Sequence, residues 1–300
     1  MFEKVSHNQD LNSILSYLDE ISVQPYAWIL LTAVVGLMVI NWTLEAVKWR
    51  ILVLPLEKIS LSRSIQAILA GTSLGIITPN RVGEYAGRVL ILQHKNRFSG
   101  ALATVIGSVA QTITTVLFGS AALYFYYTDL SGEEPDFWIQ MVLSFLLILL
   151  IGVLLILYFN TPFLIGLLKR LKVLHRYRKY VSFLDRYSYG ELLTVLSLST
   201  LRYIVFSSQL LLLLYFFQVE IPFHDALILI PMIFIALTII PTIPFTELPI
   251  RQMVSIKLLS VTSDHSLGIA GASFVLWFIN LGIPAIAGTI YIFRSKLFRS

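Results

Sequence analysis

Long apolar runs alternate along this chain with short polar stretches, and the length of the runs decides the fold class. Ala27–Val47, Ser99–Tyr127, Phe137–Asn160, Glu191–Phe217 and Leu267–Phe293 each reach the roughly 20 residues a helix needs to cross the hydrocarbon core of a bilayer. Within the third, Phe145–Tyr158 reads FLLILLIGVLLILY without a polar residue, whereas the strands of a membrane barrel alternate. The pattern predicts an all-α, polytopic integral membrane protein with about five full spans.

Two further regions, about 61–97 and 224–260, are apolar but interrupted. The first breaks at Thr78-Pro79-Asn80-Arg81, the second at Pro241-Thr242-Ile243-Pro244 and again at Pro249. Each is too broken for one straight helix and too short for two full spans.

Lys and Arg placement orients the spans. Stretch 161–190 carries Lys169, Arg170, Lys172, Arg176, Arg178, Lys179 and Arg186 against the single acid Asp185, which predicts the cytoplasmic side. Stretch 128–136 holds Asp129, Glu133, Glu134 and Asp136 without a base and belongs outside, as does 262–266. Arg294, Lys296 and Arg299 put the C-terminus inside, and Lys48, Arg50, Lys58 and Arg63 do the same for the segment after the first span. Both ends of 61–97 then lie inside and both ends of 224–260 outside. Each interrupted region is expected to be a re-entrant helical hairpin, one dipping from each side.

The resulting order is span, hairpin, span over 27–127, a linker span at 137–160 with a basic cytoplasmic segment at 162–190, and span, hairpin, span over 191–293. That is an inverted repeat within a single domain, an arrangement many secondary transporters use. Glu84-x-x-x-Arg88 and Glu247-x-x-x-Arg251 repeat one local pattern 163 residues apart. Residues 8–22 set Leu11, Ile14, Leu15, Leu18 and Ile21 on one helical face, which predicts an interfacial helix. The basic segment is either a leaflet-binding stretch or an ordinary topology-setting loop.

Composition agrees: AVILMFWYC residues make up 57% and DEKR residues 13%, about half the charge of a soluble domain. Mean hydropathy is +0.80. The net charge of +5 clusters beside apolar spans, so it marks topology rather than nucleic-acid binding. There are no cysteines, which excludes disulfides and thiol chemistry. Residues 1–24 lack the apolar stretch of a cleavable signal.

Charged side chains at membrane depth cost several kcal/mol unless paired or hydrated, so those inside apolar regions are the candidate site. They are Arg81, Glu84 and Arg88 in the first hairpin, Glu247 and Arg251 in the second, and Arg202 in the middle of span 191–217. Glu84/Arg88 and Glu247/Arg251 each lie one helical turn apart. Simple neutralisation would leave Arg81 and Arg202 as excess positive charge, which suits an anion. Asn80 and Thr246, each after a proline-bearing break, are expected to cap helices whose positive ends face the cavity. A phosphate beside an arginine at such an end is a common pairing. Purely structural ion pairing is the competing reading.

Gly71-Thr-Ser-Leu-Gly75 and Gly83-Glu-Tyr-Ala-Gly87 are G-x-x-x-G patterns that let helix backbones approach. The first also matches G-x-S-x-G through Ser73, but that motif needs a strand-turn-helix elbow and a histidine partner. The histidines, His7, His94, His175, His224 and His265, lack metal-ligand spacing, and no phosphate-loop or dinucleotide fingerprint occurs. No metal, no cofactor and no catalytic residue are expected.

The stretch Ile76-Ile-Thr-Pro-Asn-Arg-Val-Gly-Glu-Tyr-Ala-Gly-Arg88, followed by Ser99-Gly-Ala-Leu-Ala-Thr-Val, resembles the transmembrane domain of lysylphosphatidylglycerol synthases, the flippase-like family. Lys48-Trp49-Arg50 is similar to the family's Arg-Trp, and Pro241 to Arg251 to its second proline-rich stretch, although Thr-Glu-Leu-Pro-Ile-Arg replaces a glycine-rich turn. The resemblance covers about 26–293 and lacks both the family's usual first span and its aminoacyltransferase domain, so the chain resembles a stand-alone member.

The resemblance implies movement of aminoacylated phosphatidylglycerol across the bacterial inner membrane. The expected function is therefore translocation of an anionic or aminoacylated phospholipid, or a related lipid-linked headgroup. Arg81, Arg88, Arg202 and Arg251 would receive the phosphate, and Glu84 and Glu247 would orient them or meet a cationic moiety. Two alternatives stay open: a membrane subunit for a separately encoded glycosyl- or aminoacyltransferase, and a transporter of a small soluble anion. Expected partners are phospholipid and membrane, not nucleic acid; a separate transferase and a second copy of the chain stay open.

Overall fold

In the computed structural model, residues 16–17, 19, 21, 23–130, 136–160, 186–242 and 244–295 are described. Among them every regular element is helical. The five long apolar helices are there, and the protein is a multi-pass membrane protein. Helix α1 (Ala27–Val53) is followed by α2 (Leu61–Gly75), a 3₁₀ turn at Pro79–Arg81, α3 (Gly83–Val89) and α4 (Arg97–Phe125). The second half holds α5 (Phe137–Phe159), α6 (Tyr189–Phe216), α7 (Phe223–Ile239), α8 (Pro244–Leu259), α9 (Ser266–Trp277) and α10 (Ile283–Arg294). The last long helix, Ser266–Arg294, runs through a π-helical turn, Phe278–Gly282, that joins α9 to α10.

Local chemistry sets the starts. Ser60 Oγ accepts from the Arg63 amide at 3.2 Å and starts α2. Asp136 accepts from the Trp138 amide at 2.8 Å and starts α5. Ser188 and Glu191 form a reciprocal capping box on α6, so two otherwise orphaned amides are satisfied there.

Neither interrupted region forms a full-length helix. Helices α2, α3, α7 and α8 have 15, 7, 17 and 16 residues, each short of the roughly 20 that span a bilayer. They form two helix-turn-helix pairs. In the first pair the arms run antiparallel and nearly touch. A Cβ on Gly87 would lie 2.5 Å from the Ala70 carbonyl oxygen, and one on Gly83 would lie 2.3 Å from that of Leu74. The two G-x-x-x-G segments therefore pack as the sequence predicted.

The pairs open toward opposite ends of the bundle. At one end Tyr187 donates to the Leu52 carbonyl, and Asn96 Nδ2 donates to that of Leu56 at 3.3 Å, beside both roots of the α2–α3 pair. At the other end Tyr17 donates to the Phe217 carbonyl and stacks edge-on with His265 at 5.2 Å, beside both roots of the α7–α8 pair. The tips meet between them, where the Asn80 amide donates to the Thr242 carbonyl at 3.2 Å.

Along their lengths α1 packs on α6, α2 on α10 and α4 on α7. Helix α5 stands apart, with Tyr158 its one buried residue and α4 its main neighbour. Two hydrophobic clusters fill the bundle. One gathers Leu210, Leu213, Leu229, Ile233 and Leu276, the other Trp49, Leu52, Ile68, Leu92 and Val195. On α1 and α6 a polar layer separates them.

The expected interfacial helix is described only at Ser16, Tyr17, Asp19 and Ile21, all helical. Ile21 is buried in the first cluster, so this end of the segment docks on the bundle. Its remaining residues, the basic segment from 162 to 185, the acids Glu133 and Glu134, and Lys296 and Arg299 lie outside the described residues.

Candidate functional site

A cavity of about 440 Å³ lies in the polar layer. Arg81, Glu84 and Arg88 reach it from the first hairpin, Glu247 and Arg251 from the second, and Arg202 from α6; all six line it. Residues up to 170 positions apart in sequence are brought to one place because the two hairpin tips meet there.

The centre of the site is a residue the sequence reading passed over. Glu45 of α1 is 3% exposed and is shared by three cations from three helices. Its Oε1 accepts from Arg88 Nη1 at 2.6 Å. Its Oε2 meets Lys48 Nζ at 2.7 Å and also accepts from Arg202 Nη1. A buried carboxylate persists when both its oxygens are paired with cations in this way. The signal was present: Asn41, Glu45 and Lys48 follow an i, i+4, i+7 spacing on an otherwise apolar span, which puts them on one face.

Lys48 is a correction. Counted in the sequence as a cytoplasmic topology marker, it is 1% exposed and lies inside the bundle. Its ammonium reaches Glu45, the Ser199 hydroxyl at 3.4 Å and the Gly107 carbonyl at 3.5 Å. A lysine at a span end reads the same whether its side chain turns outward or inward. Only the partner on the preceding turn distinguishes the two.

The guanidinium of Arg88 bridges two carboxylates, with Nη1 on Glu45 and Nη2 on Glu84. Arg202 donates through Nε to Asn41 Oδ1 at 2.9 Å and through Nη1 to Gln111 Oε1 at 3.3 Å. A polar chain continues from Asn41 Nδ2 to Asn280 Oδ1 at 3.1 Å, then from Asn280 Nδ2 to Gln209 Oε1 at 3.1 Å. Arg81 and Arg251 are held more loosely, 3.6 Å from Glu84 and 3.8 Å from Glu247.

Asn80, expected as a cap, does not act as one. Asn80 lies inside the turn at φ 47°, followed by Arg81 at φ 57°. The amide of Gly83 is instead capped by Thr78 Oγ1 at 2.7 Å. The chain needs two consecutive left-handed residues to reverse here, a conformation that asparagine tolerates and arginine rarely adopts. Thr246 falls within the first turn of α8, which begins at Pro244, because proline is well suited to the first helical position.

In chemical composition the site is therefore five cationic side chains facing three carboxylates around a polar cavity. Among the described residues no cluster of His, Cys, Asp or Glu could hold a metal ion. The family described as "Lysylphosphatidylglycerol synthase TM region" matches residues 5–297 of the 300. No curated protein matches the chain at a significant level, and neither does any solved structure.

Proposed function

This chain belongs to the lysylphosphatidylglycerol synthase transmembrane family, and from that membership and the cavity's chemistry we propose that it translocates a lipid headgroup across the membrane. Membership supports a membrane role in lipid modification or transport. One observation carries the finer reading: the charged groups of both hairpins and of α1 and α6 converge on a single cavity where the hairpin tips meet. Five cations against three carboxylates leave a positive excess, and an anionic headgroup would neutralise it.

The hairpins then dip from opposite leaflets, and the two halves form an inverted repeat. The packing supports this. Swapping the halves exchanges the α2–α10 contact with the α4–α7 contact and maps α1–α6 onto itself. Rocking of one half against the other would open the cavity to alternate sides while the acyl tails stay in lipid. In this reading the protein lies in the inner membrane with its C-terminus cytoplasmic. The residues contacting the headgroup are Arg81, Glu84, Arg88, Arg202, Glu247 and Arg251.

The test is reconstitution into vesicles holding a fluorescently headgroup-labelled anionic phospholipid, with exposure of the label at the outer leaflet followed by an impermeant quencher. The expected result is faster exchange than in protein-free vesicles. Exchange no faster than that, from folded protein, would leave the membrane subunit of a transferase as the better reading.

A further inference from the structure

Among the described residues that line the cavity, the buried side-chain polar atoms without a protein partner are Arg81 Nε, Arg88 Nε, Arg251 Nε, the indole nitrogens of Trp42 and Trp277, and the Tyr203 hydroxyl; all but the hydroxyl are donors only. The carboxylates, by contrast, are all engaged: Glu45 with Lys48, Arg88 and Arg202, Glu84 with Arg81 and Arg88, and Glu247 with Arg251. A buried donor without an acceptor costs free energy until water or a ligand supplies one. A ligand that fits brings acceptors, and every carboxylate it meets already faces at least one guanidinium, Glu247 the most loosely at 3.8 Å.

We infer that the cavity takes a phosphoryl group carrying two negative charges and no ammonium, the chemistry of a phosphomonoester rather than of a phosphodiester or an aminoacylated lipid. The inference rests on the translocase reading only for the ligand's being a lipid. The charge excess of the cavity is two, so a dianion closes it and a monoanion leaves one cation uncompensated. Arg88, 6% exposed, is held by two carboxylates and cannot turn away to solvent. A cationic aminoacyl group would add positive charge where it is already in excess and would compete with Arg81 or Arg251 for Glu84 or Glu247. The two indole N–H groups suit neutral oxygens beside the phosphate, such as ester or glycerol oxygens.

The experiment uses purified wild-type protein at neutral pH, where binding to a positive site draws off the second proton of phosphatidate, and reads thermal stabilisation against ligand concentration. Phosphatidate, phosphatidylglycerol, lysylphosphatidylglycerol and inorganic phosphate are the probes. Phosphatidate is expected to act at about tenfold lower concentration than phosphatidylglycerol, because its second charge meets an uncompensated guanidinium at short range. Lysylphosphatidylglycerol is expected to be weakest of the three lipids. In Arg251→Gln, which removes one positive charge, the preference for phosphatidate over phosphatidylglycerol should shrink. Equal potency of phosphatidate and phosphatidylglycerol, or tighter binding of the lysyl lipid, would overturn the inference and leave the translocase reading standing. Stabilisation by inorganic phosphate with none by phosphatidate would keep the dianion site and overturn the lipid reading instead. No stabilisation by any probe would overturn both.

Discussion

Glu45 and Arg88, 43 residues apart in sequence, are joined by an ion pair of 2.6 Å that ties α1 to the returning arm of the first hairpin. The same carboxylate holds Lys48 and Arg202, so one side chain is shared by three buried cations. Glu45→Gln should cost roughly 3–5 kcal/mol, the usual penalty for leaving a buried charge without its partner. The check is chemical unfolding in detergent, together with the yield of monodisperse protein. Wild-type stability in this variant would mean that the cations are compensated from elsewhere.

Arg88→Lys tests whether the planar fork matters. Two terminal nitrogens reach two different carboxylates in the native site. An ammonium on a shorter stem meets one of them as a point charge. The variant should fold in better yield than Arg88→Ala yet exchange lipid at a rate close to it. Full exchange by Arg88→Lys would reduce Arg88 to a source of charge.

Removing both charges separates binding from packing. With Glu84 and Arg88 replaced by leucine and methionine, Glu45 keeps Lys48 and Arg202, so the fold should survive. Headgroup exchange should be lost all the same. Normal exchange by the folded double variant would show that the pair is only structural.

Gly87→Ala probes the hairpin itself. Its new methyl group would press on the Ala70 carbonyl oxygen at 2.5 Å and on Gly71 Cα at 2.6 Å. Backbone cannot yield as a side-chain tip does, and overpacking of this kind costs about 1–3 kcal/mol. A lower thermal midpoint is expected, whereas alanine at the uncrowded Gly36 should leave it unchanged or raise it, because alanine favours a helix interior.

Because the chain contains no cysteine, pairs can be introduced cleanly. Asn80→Cys with Thr242→Cys places two thiols where the tips already share a backbone hydrogen bond. Oxidation should cross-link them and stop exchange, and reduction should restore it. Exchange that continues after complete cross-linking would mean that the tips need not part.

Much of this architecture could be read from the chain because a bilayer makes simple demands. Run length located the five spans, and the prolines at 79, 241 and 244 located the two reversals. The hairpin charges were visible because Arg81, Glu84, Glu247 and Arg251 interrupt apolar sequence. Glu45 and Lys48 escaped notice because they sit near the end of a span, where charge usually meets water. Thr78 was overlooked in favour of Asn80 because the cap precedes a turn with two left-handed residues, and that geometry leaves no periodic trace. The π-helical turn at Phe278–Gly282 likewise has no hydropathy signature.

Among the described residues helix α5 contributes one buried side chain, yet on the proposed inverted repeat it sets the parity of the chain. Two spans and a hairpin return the backbone to the end of the bundle from which it set out. A second such unit joined directly would repeat the first in the same sense, and both hairpin roots would lie at one end. A single additional pass turns the second unit over. The Asn80–Thr242 contact, and with it the charged cavity, therefore depends on a helix that lines no part of it. Its sequence should be free to change as long as it remains one pass long, whereas deleting it, or doubling it, should leave two units that cannot face each other.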